Sequence, residues 1–268
     1  MRTLHLIAAG AVLAACAPSA NAQERDDSFK WTGGIEAGRT VYVRNLNGAI
    51  NVESATGATV EVRAEKQWRR GDPKDVKITA EKTARGDILV CAIWEGRETR
   101  CDEDGYRSRG DDSWWRGDRE RNDVSVKFTI YLPKGVKLDA STVNGALGIA
   151  GATAAVKART VNGGIEAAST SGPVSAKTVN GSIRVRAGSI GDGPVEYETV
   201  NGSVSLELPE GLNADIEMRT VNGSITSEDF PITVQGRIDR RRLEGKIGKG
   251  GPELSVSTVN GSIRIRKN

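Results

Sequence analysis

The sequence predicts an all-β protein built as a repetitive, single-stranded right-handed β-helix, a solenoid-like stack of short strands. Three observations predict this class. A motif beginning Thr-Val-Asn-Gly recurs along the chain, apolar and polar residues alternate on both sides of it, and Gly-Pro pairs separate several of the copies. The composition agrees, because 32 glycines and only 4% aromatic residues suit a fold with many turns and a thin core.

The motif occurs six times, with its threonine at positions 142, 160, 178, 199, 220 and 258. The last spacing, 38 residues, is about two periods, so we expect a decayed copy inside it. The segment RLEGKI at 242–247 fits that expectation, and NLNGAI at 45–50 is a looser early copy. The predicted structural repeat turns are Asn144, Gly145, Asn162, Gly163, Asn180, Gly181, Asn201, Gly202, Asn222, Gly223, Asn260 and Gly261.

The alternation around each copy has period two, which is typical of strands with one buried face. In one period, Val174, Ile183 and Val185 fall on the apolar side, whereas Lys177 and Arg184 fall on the polar side. Asn-Gly between such strands is also typical of a type I′ hairpin, which would give an antiparallel β-meander or sandwich. A hairpin gives no reason for Thr and Val to recur beside the turn. Stacked coils do, because they place Asn on Asn and Val on Val, so the solenoid is favoured.

The N-terminus has the pattern of a signal peptide, with Arg2 followed by a short apolar run. Cleavage after Ala22 would follow an A-x-A site, giving a signal peptide at 1–22. The sequence ending at Cys16 resembles a lipobox instead, in which the signal is 1–15 and Cys16 is lipidated. Either site predicts export to the periplasm, outer membrane or cell surface of a bacterium. No later apolar run is long enough for a membrane-spanning helix, so membrane contact is expected only through the lipid anchor.

The rest of the chain divides into an N-terminal β region at 23–133, with a charged insertion at 94–123, and a repeat region at 134–268. Cys91 and Cys101 are expected to form a disulfide in an oxidising compartment. The single histidine, His5, lies in the predicted signal, so the mature chain has none. This excludes Ser-His-Asp catalysis and His-ligated zinc from the mature chain.

The insertion is dense in charges of both signs and contains adjacent Trp114 and Trp115. This tryptophan pair is a candidate contact for a partner, since loops on rigid scaffolds often carry function. The alternative is a disordered or self-packed charged segment. Its acidic residues have the oxygen ligands that calcium prefers, but their spacing matches no calcium loop, so we expect no metal and no cofactor.

The repeated TVNGSI, the segment IYLPKGVKLDASTVNGALGIAG at 130–151 and the segment RRLEGKIGKGGPELSVSTVNGSIRI at 241–265 resemble bacterial candidate-adhesin domains of unknown function. The β-repeat fold of that family is called the toastrack. The resemblance covers about 34–266, with 95–123 departing from it. It implies an exported or envelope-associated repeat protein, and some relatives sit near envelope-stress systems. It defines no catalytic or binding residues.

These observations favour a non-enzymatic cell-envelope protein, an adhesin or binding scaffold whose partner is an envelope protein or a surface glycan. Nucleic acid is not an expected partner, because basic and acidic residues are interspersed without stacking aromatics. One alternative is an accessory or sensor lipoprotein in envelope stress. Another is a carboxylate-dependent, polysaccharide-active β-helix enzyme, which would need a pair of acidic groups. Its scattered candidates are Glu166, Glu196, Glu198, Glu207 and Glu217.

Overall fold

The computed structural model describes residues 27–94, 99–108, 122–235 and 239–268. In these ranges the chain forms 23 strands and one short 3-10 helix, Pro73–Asp75. The strands in chain order are β1 Ser28–Gly34, β2 Thr40–Arg44, β3 Ile50–Ser54, β4 Thr59–Gln67, β5 Val76–Lys82, β6 Ile88–Trp94, β7 Thr99–Asp102, β8 Gly105–Ser108, β9 Ser125–Leu132, β10 Lys137–Ser141, β11 Leu147–Ala152, β12 Val156–Arg159, β13 Ile165–Ser169, β14 Val174–Lys177, β15 Ile183–Ala187, β16 Val195–Asn201, β17 Val204–Leu208, β18 Ala214–Asn222, β19 Ile225–Ser227, β20 Ile232–Val234, β21 Arg242–Ile247, β22 Glu253–Asn260 and β23 Ile263–Lys267.

The strands form two large sheets. The first sheet has the order β1-β4-β9-β3-β11-β13-β15-β17-β23-β19, and the second has the order β20-β21-β18-β22-β16-β14-β12-β10-β2-β6-β5. Each repeat gives one strand to each sheet, and neighbouring repeats pair in parallel, as β12–β14 and β13–β15 do. The all-β solenoid-like stack is therefore confirmed. The antiparallel meander is wrong for the repeats, because the Asn-Gly turn crosses from one sheet to the other instead of joining neighbouring strands.

The coils do not stack in chain order at the C-terminal end. Strand β22 pairs in parallel with both β16 and β18, and β23 pairs with both β17 and β19. The coil of Thr258 therefore lies between the coils of Thr199 and Thr220, although it comes last in the chain. At the other end NLNGAI is a true coil, since Asn47 bridges Asn144 and β2 and β3 pair with β10 and β11.

The core lies between the two sheets and is built from the inward residues of every strand. In one coil Ile183, Val185 and Ala187 are buried, and their neighbours Arg184 and Arg186 point to solvent. Burying an Ile or Val side chain contributes about 1.5–3 kcal/mol. Because each coil buries its small apolar face mainly against its neighbours, the stability of the stack is close to a sum of nearest-neighbour terms.

Antiparallel strands cover both sheets at one end of the stack and the second sheet at the other, where the first sheet ends at the parallel strand β19. At one end β4 pairs antiparallel with β9 and β1, and β5 pairs antiparallel with β6. At the other end β21 pairs antiparallel with β18 and β20. The expectation that RLEGKI forms a coil is therefore wrong, because this segment is β21. It has Glu244 where a coil has asparagine, and Glu244 pairs with Arg242 and Arg219.

A hairpin of β7 and β8 lies beside β6 and is joined to it by a disulfide between Cys91 and Cys101. The residues of β6 from Ile88 to Ala92 are consecutively buried, which reflects cover on both faces of the strand. Tyr106 in β8 places its hydroxyl within hydrogen-bonding distance of the Ala92 carbonyl, at 2.6 Å. Residues 99–108 of the charged insertion thus form part of the outer surface of the second sheet.

Candidate functional site

The asparagines of the repeat turns form a ladder along the stack. Each side-chain amide donates from Nδ2 to Oδ1 of the adjacent asparagine at 2.8 Å. The pairs are Asn162 to Asn144, Asn180 to Asn162, Asn201 to Asn180, Asn260 to Asn201, and Asn222 to Asn260. The ladder follows the order of the coils in space rather than in sequence, and it fixes the register of neighbouring turns.

The threonine and glycine of the motif form a second link between coils. Thr178 donates from Oγ1 to the carbonyl oxygen of Gly163 at 2.9 Å, and each motif threonine makes the equivalent bond to the adjacent coil. A Cβ placed on Gly181 would lie 2.0 Å from that same Gly163 oxygen. None of the six motif glycines has a positive φ. Glycine is thus required by close approach of backbones, not by the conformation that a type I′ hairpin would demand.

The motif valines stack on the surface beside this ladder. Val161, Val179 and Val259 are 38–39% exposed, and Val221 at the end of the stack is 55% exposed. The predicted stacking of Asn on Asn and Val on Val is therefore present, with both columns facing solvent. The contacts between adjacent Thr-Val-Asn-Gly turns therefore set the spacing of the coils.

The outer face of the first sheet carries a shallow concavity of about 570 Å³. Its floor includes the small residues Gly148, Ala150 and Ala168, whereas its lining also includes Glu166 and Glu207. Four arginines oppose these two glutamates, so the lining has an excess of positive charge. We call this surface the arginine face, after Arg184, Arg186, Arg264 and Arg266.

Strand register sets these arginines in two rows across β15, β17 and β23. Arg184, Ser205 and Arg264 are neighbours in one row, which we call the serine row. Arg186, Glu207 and Arg266 are neighbours in the next, which we call the glutamate row. Across these three strands the two rows have the same pair of outer arginines and differ in the central residue. On the neighbouring β13 the serine row continues to Glu166 and the glutamate row to Ala168.

The glutamate row is internally neutralised in part. Arg186 donates from Nε to Glu207 at 2.5 Å, and Arg266 donates to the other carboxylate oxygen. Hydrogen bonds from Arg266 and Arg186 hold the pKa of Glu207 below its ordinary value, so this carboxylate is ionised at neutral pH. In the serine row, Arg264 lies 3.5 Å from Glu228, and Arg184 forms no ion pair with any residue that the structure describes.

The candidate acids of the enzyme hypothesis lie on opposite faces of the molecule. Glu166 and Glu207 belong to the first sheet, whereas Glu196, Glu198 and Glu217 belong to the second. Those of the second sheet are engaged by cations. Lys177 lies 2.6 Å from Glu196 and 3.2 Å from Glu198, and Arg219 pairs with Glu217.

A buried arginine lies beneath the β7–β8 hairpin. Arg44 is 1% exposed, donates to both the side chain and the backbone carbonyl of Asp139, and stacks 5.3 Å from the centre of the Tyr42 ring. Glu103 of the hairpin accepts a hydrogen bond from the same guanidinium group through its carbonyl oxygen. This network pins the hairpin to the second sheet.

The acidic residues of the hairpin turn are held by arginine. Asp102 and Asp104 both pair with Arg107, at 2.8 and 2.7 Å. Within the described parts of the chain, no group of three or more His, Cys, Asp or Glu side chains is placed to hold a metal ion. Other predicted features, namely Cys16 and the Trp114–Trp115 pair, lie outside the described residues.

The sequence did not point to the arginine face, although a signal was present. The outward positions six and eight residues after each motif threonine contain all four arginines and Glu207. Collecting those positions from every copy would have set the four arginines and Glu207 apart from the charged residues elsewhere in the chain.

No helix among the described residues is long and apolar enough to cross a membrane. No match is found among curated proteins. Among solved structures, the chain is similar to a candidate cell adhesion protein from Clostridium sporogenes, with 13% identity and a TM-score of 0.41 over 90% of this chain and 100% of that one. It is also similar to a candidate adhesin from Bacteroides fragilis, with 8% identity and a TM-score of 0.39 over 89% of this chain and 97% of that one.

The sequence profile that matches this chain is described as Toastrack DUF4097. The match runs from residue 35 to residue 266 and so includes most of the N-terminal β region and every copy of the motif. Because it spans most of the sequence, the chain belongs to the Toastrack DUF4097 family.

Proposed function

We propose that this protein is an exported, non-enzymatic binding scaffold of the bacterial cell envelope, of the adhesin type, and that the arginine face is its binding surface. The observation that carries the proposal is an open, cation-rich concavity on a rigid stack of coils. Its ligand would be a surface glycan, in preference to an envelope protein, because the concavity is shallow and its floor is made of small side chains.

The scaffold holds this surface rigidly. Arg184, Arg186, Ser205 and Glu207 stand on β15 and β17, and each of these strands is hydrogen-bonded to a parallel neighbour on both sides. Sites built on strands are held more precisely than sites on loops. Export is supported by the signal-like N-terminus and by the disulfide of Cys91 and Cys101, since disulfides are typical of oxidising compartments.

Electrostatics at Glu207 favour binding over polysaccharide hydrolysis. A glycosidase needs a carboxylic acid whose pKa is raised so that it can protonate the leaving group. Hydrogen bonds from Arg266 and Arg186 instead lower the pKa of Glu207, so this side chain is not suited to act as the acid. A carboxylate held by two guanidinium groups is suited to fixing their orientation.

Protease shaving of intact cells that carry a C-terminally tagged copy tests the proposal. Loss of the tag while a periplasmic control survives would support a surface adhesin. Loss only after outer-membrane permeabilisation would support a periplasmic scaffold and contradict the adhesin type. A tag in the cytosol on a chain with an uncleaved N-terminus would contradict export. Release of sugar from acidic polysaccharides, abolished by Glu207→Gln, would contradict the non-enzymatic assignment.

A further inference from the structure

We infer that Arg184, Ser205 and Arg264 form a site for the carboxylate groups of an acidic polysaccharide. This inference rests on the proposed binding function and names the ligand class of the same face. It follows from a comparison that the molecule itself provides, because two adjacent rows of one surface have the same flanking arginines and different central residues.

The glutamate row shows how a carboxylate is bound on this face. Glu207 stands between Arg186 and Arg266, and its two oxygens accept hydrogen bonds from both guanidinium groups. The side chain is only 17% exposed, so the pair of arginines largely encloses it. Arginine suits this role because its planar fork of donors matches the geometry of a carboxylate.

The serine row has the same two arginines with no anion between them, while Glu166 adjoins Arg184 on its other side and Glu228 lies 3.5 Å from Arg264. Arg184 and Arg264 flank Ser205 in the same register, two strands apart, which corresponds to roughly 10 Å between their strands. Serine contributes a hydroxyl that can donate a hydrogen bond in place of a negative charge. The strand between Arg184 and Arg264 supplies no carboxylate, so a carboxylate bound between these two arginines would come from a ligand.

The surroundings favour a carbohydrate chain. Gly148, Ala150 and Ala168 make a low floor beside the rows, which lets a flat sugar ring approach the sheet. The lining contains no aromatic side chain on which a nucleic acid base could stack. It also contains no protruding large apolar side chain of the kind that anchors a protein in a lipid surface.

The binding experiment uses polygalacturonate as the probe and fully methyl-esterified polygalacturonate as its uncharged counterpart. The key variant is Ser205→Glu, which converts the serine row into a second glutamate row. Glu207 shows that this face accommodates a glutamate between two arginines, so the variant is expected to fold, and its melting curve checks this. A second variant, Arg184→Gln with Arg264→Gln, removes the proposed donors.

The matched control is Lys137→Gln with Lys157→Gln, which removes two exposed positive charges from the outer face of the second sheet. Wild type and this control should bind polygalacturonate with affinities within about twofold of each other, and both should bind more weakly at high salt. Ser205→Glu and the double arginine variant should each lose about tenfold or more, because charge-assisted hydrogen bonds are lost. The methyl ester should not bind.

Several results would overturn the inference. Wild type could fail to bind polygalacturonate, or both face variants could bind it as well as wild type does. Stronger binding to polyglutamate, single-stranded DNA or phosphatidylglycerol vesicles, lost in Ser205→Glu, would assign the site to another class of anion. If polygalacturonate is not bound while the tag is shaved from intact cells, the inferred acidic-polysaccharide class is wrong and the proposed surface scaffold stands. If the tag is cytosolic, the proposed function itself fails.

Discussion

Replacing the motif glycine at the centre of the stack by alanine should destabilise the whole protein. The Cβ of Gly181→Ala would lie 2.0 Å from the carbonyl oxygen of Gly163 and 2.5 Å from its carbonyl carbon. Both atoms belong to the backbone of the adjacent coil, so no side chain can turn away. The two coils must separate, and Thr178 then loses its 2.9 Å hydrogen bond to the same oxygen.

The magnitude follows from these two effects. Overpacking of a tight contact costs about 1–3 kcal/mol, and a lost hydrogen bond costs about 1 kcal/mol. Gly181→Ala should therefore lower the free energy of unfolding by about 2–4 kcal/mol. With a urea m-value of about 2 kcal/mol/M, the midpoint should fall by roughly 1–2 M.

Gly193→Ala is the matched control for urea unfolding followed by circular dichroism. A Cβ at Gly193 would meet no atom within 4 Å, and its φ is not positive. This variant should be neutral, or more stable by about 0.4–1 kcal/mol because the unfolded chain loses freedom. If the midpoints of the two variants agree within about 0.25 M, the close approach of the turns does not stabilise the stack and the reasoning is refuted.

Three further predictions concern single residues. Asn180→Asp removes the amide that donates to Asn162 and should lower the free energy of unfolding by about 1 kcal/mol in urea at pH 7. An unchanged free energy would show that the ladder is not stabilising. Asp139→Asn leaves the buried Arg44 guanidinium without its carboxylate and should lower the free energy of unfolding by about 3 kcal/mol, measured by urea unfolding. A loss below about 0.5 kcal/mol would contradict this. The pKa of Glu207 is lowered below 4.5 in the folded state, so its ionised form stabilises the fold above that pH, and this contribution is lost as the pH falls through the folded value. Glu207→Gln should thus lose less stability than wild type between pH 7 and pH 3, and equal losses would argue against the ion pairs.

The recurrence of whole motifs was sufficient to predict the stacked architecture. Asn-Gly alone is compatible with a hairpin. The motif threonine recurs because its hydroxyl donates to the adjacent coil, as Thr178 does, and the motif glycine recurs because the backbone of that coil lies against it, as at Gly181. These are contacts between coils, so only a stack explains their repetition. The period-two alternation likewise identified the buried face of each strand, because a sheet with one solvated face requires it.

The order of the last coils could not be read from the sequence. The copies at Thr199, Thr220 and Thr258 carry the same threonine, asparagine and glycine, so their interfaces are nearly interchangeable. Their arrangement depends on β21, which covers β18 and so makes the coil of Thr220 terminal. The order of the coils is therefore set by a tertiary contact of β21, a segment whose spacing in the sequence resembles that of a coil.

The arginine face depends on this unforeseen order. In chain order Arg264 would neighbour Thr226 alone, and neither the serine row nor the pair of Glu207 with Arg266 would be apparent. Insertion of the last coil beside β17 brings Arg264 next to Ser205 and Arg266 next to Glu207. The sequence contains the residues at equivalent positions, but the site exists only because coils that are distant in sequence are adjacent in space.

Cosedimentation of the purified mature protein with isolated bacterial envelopes tests the central claim most directly. Three proteins are compared at one salt concentration: wild type, Ser205→Glu, and the double lysine variant Lys137→Gln with Lys157→Gln. The account predicts that wild type and the lysine variant sediment with the envelopes, whereas Ser205→Glu stays in the supernatant with an unchanged melting temperature. Equal sedimentation of all three proteins, or of none, would contradict the claim that the arginine face binds an envelope ligand.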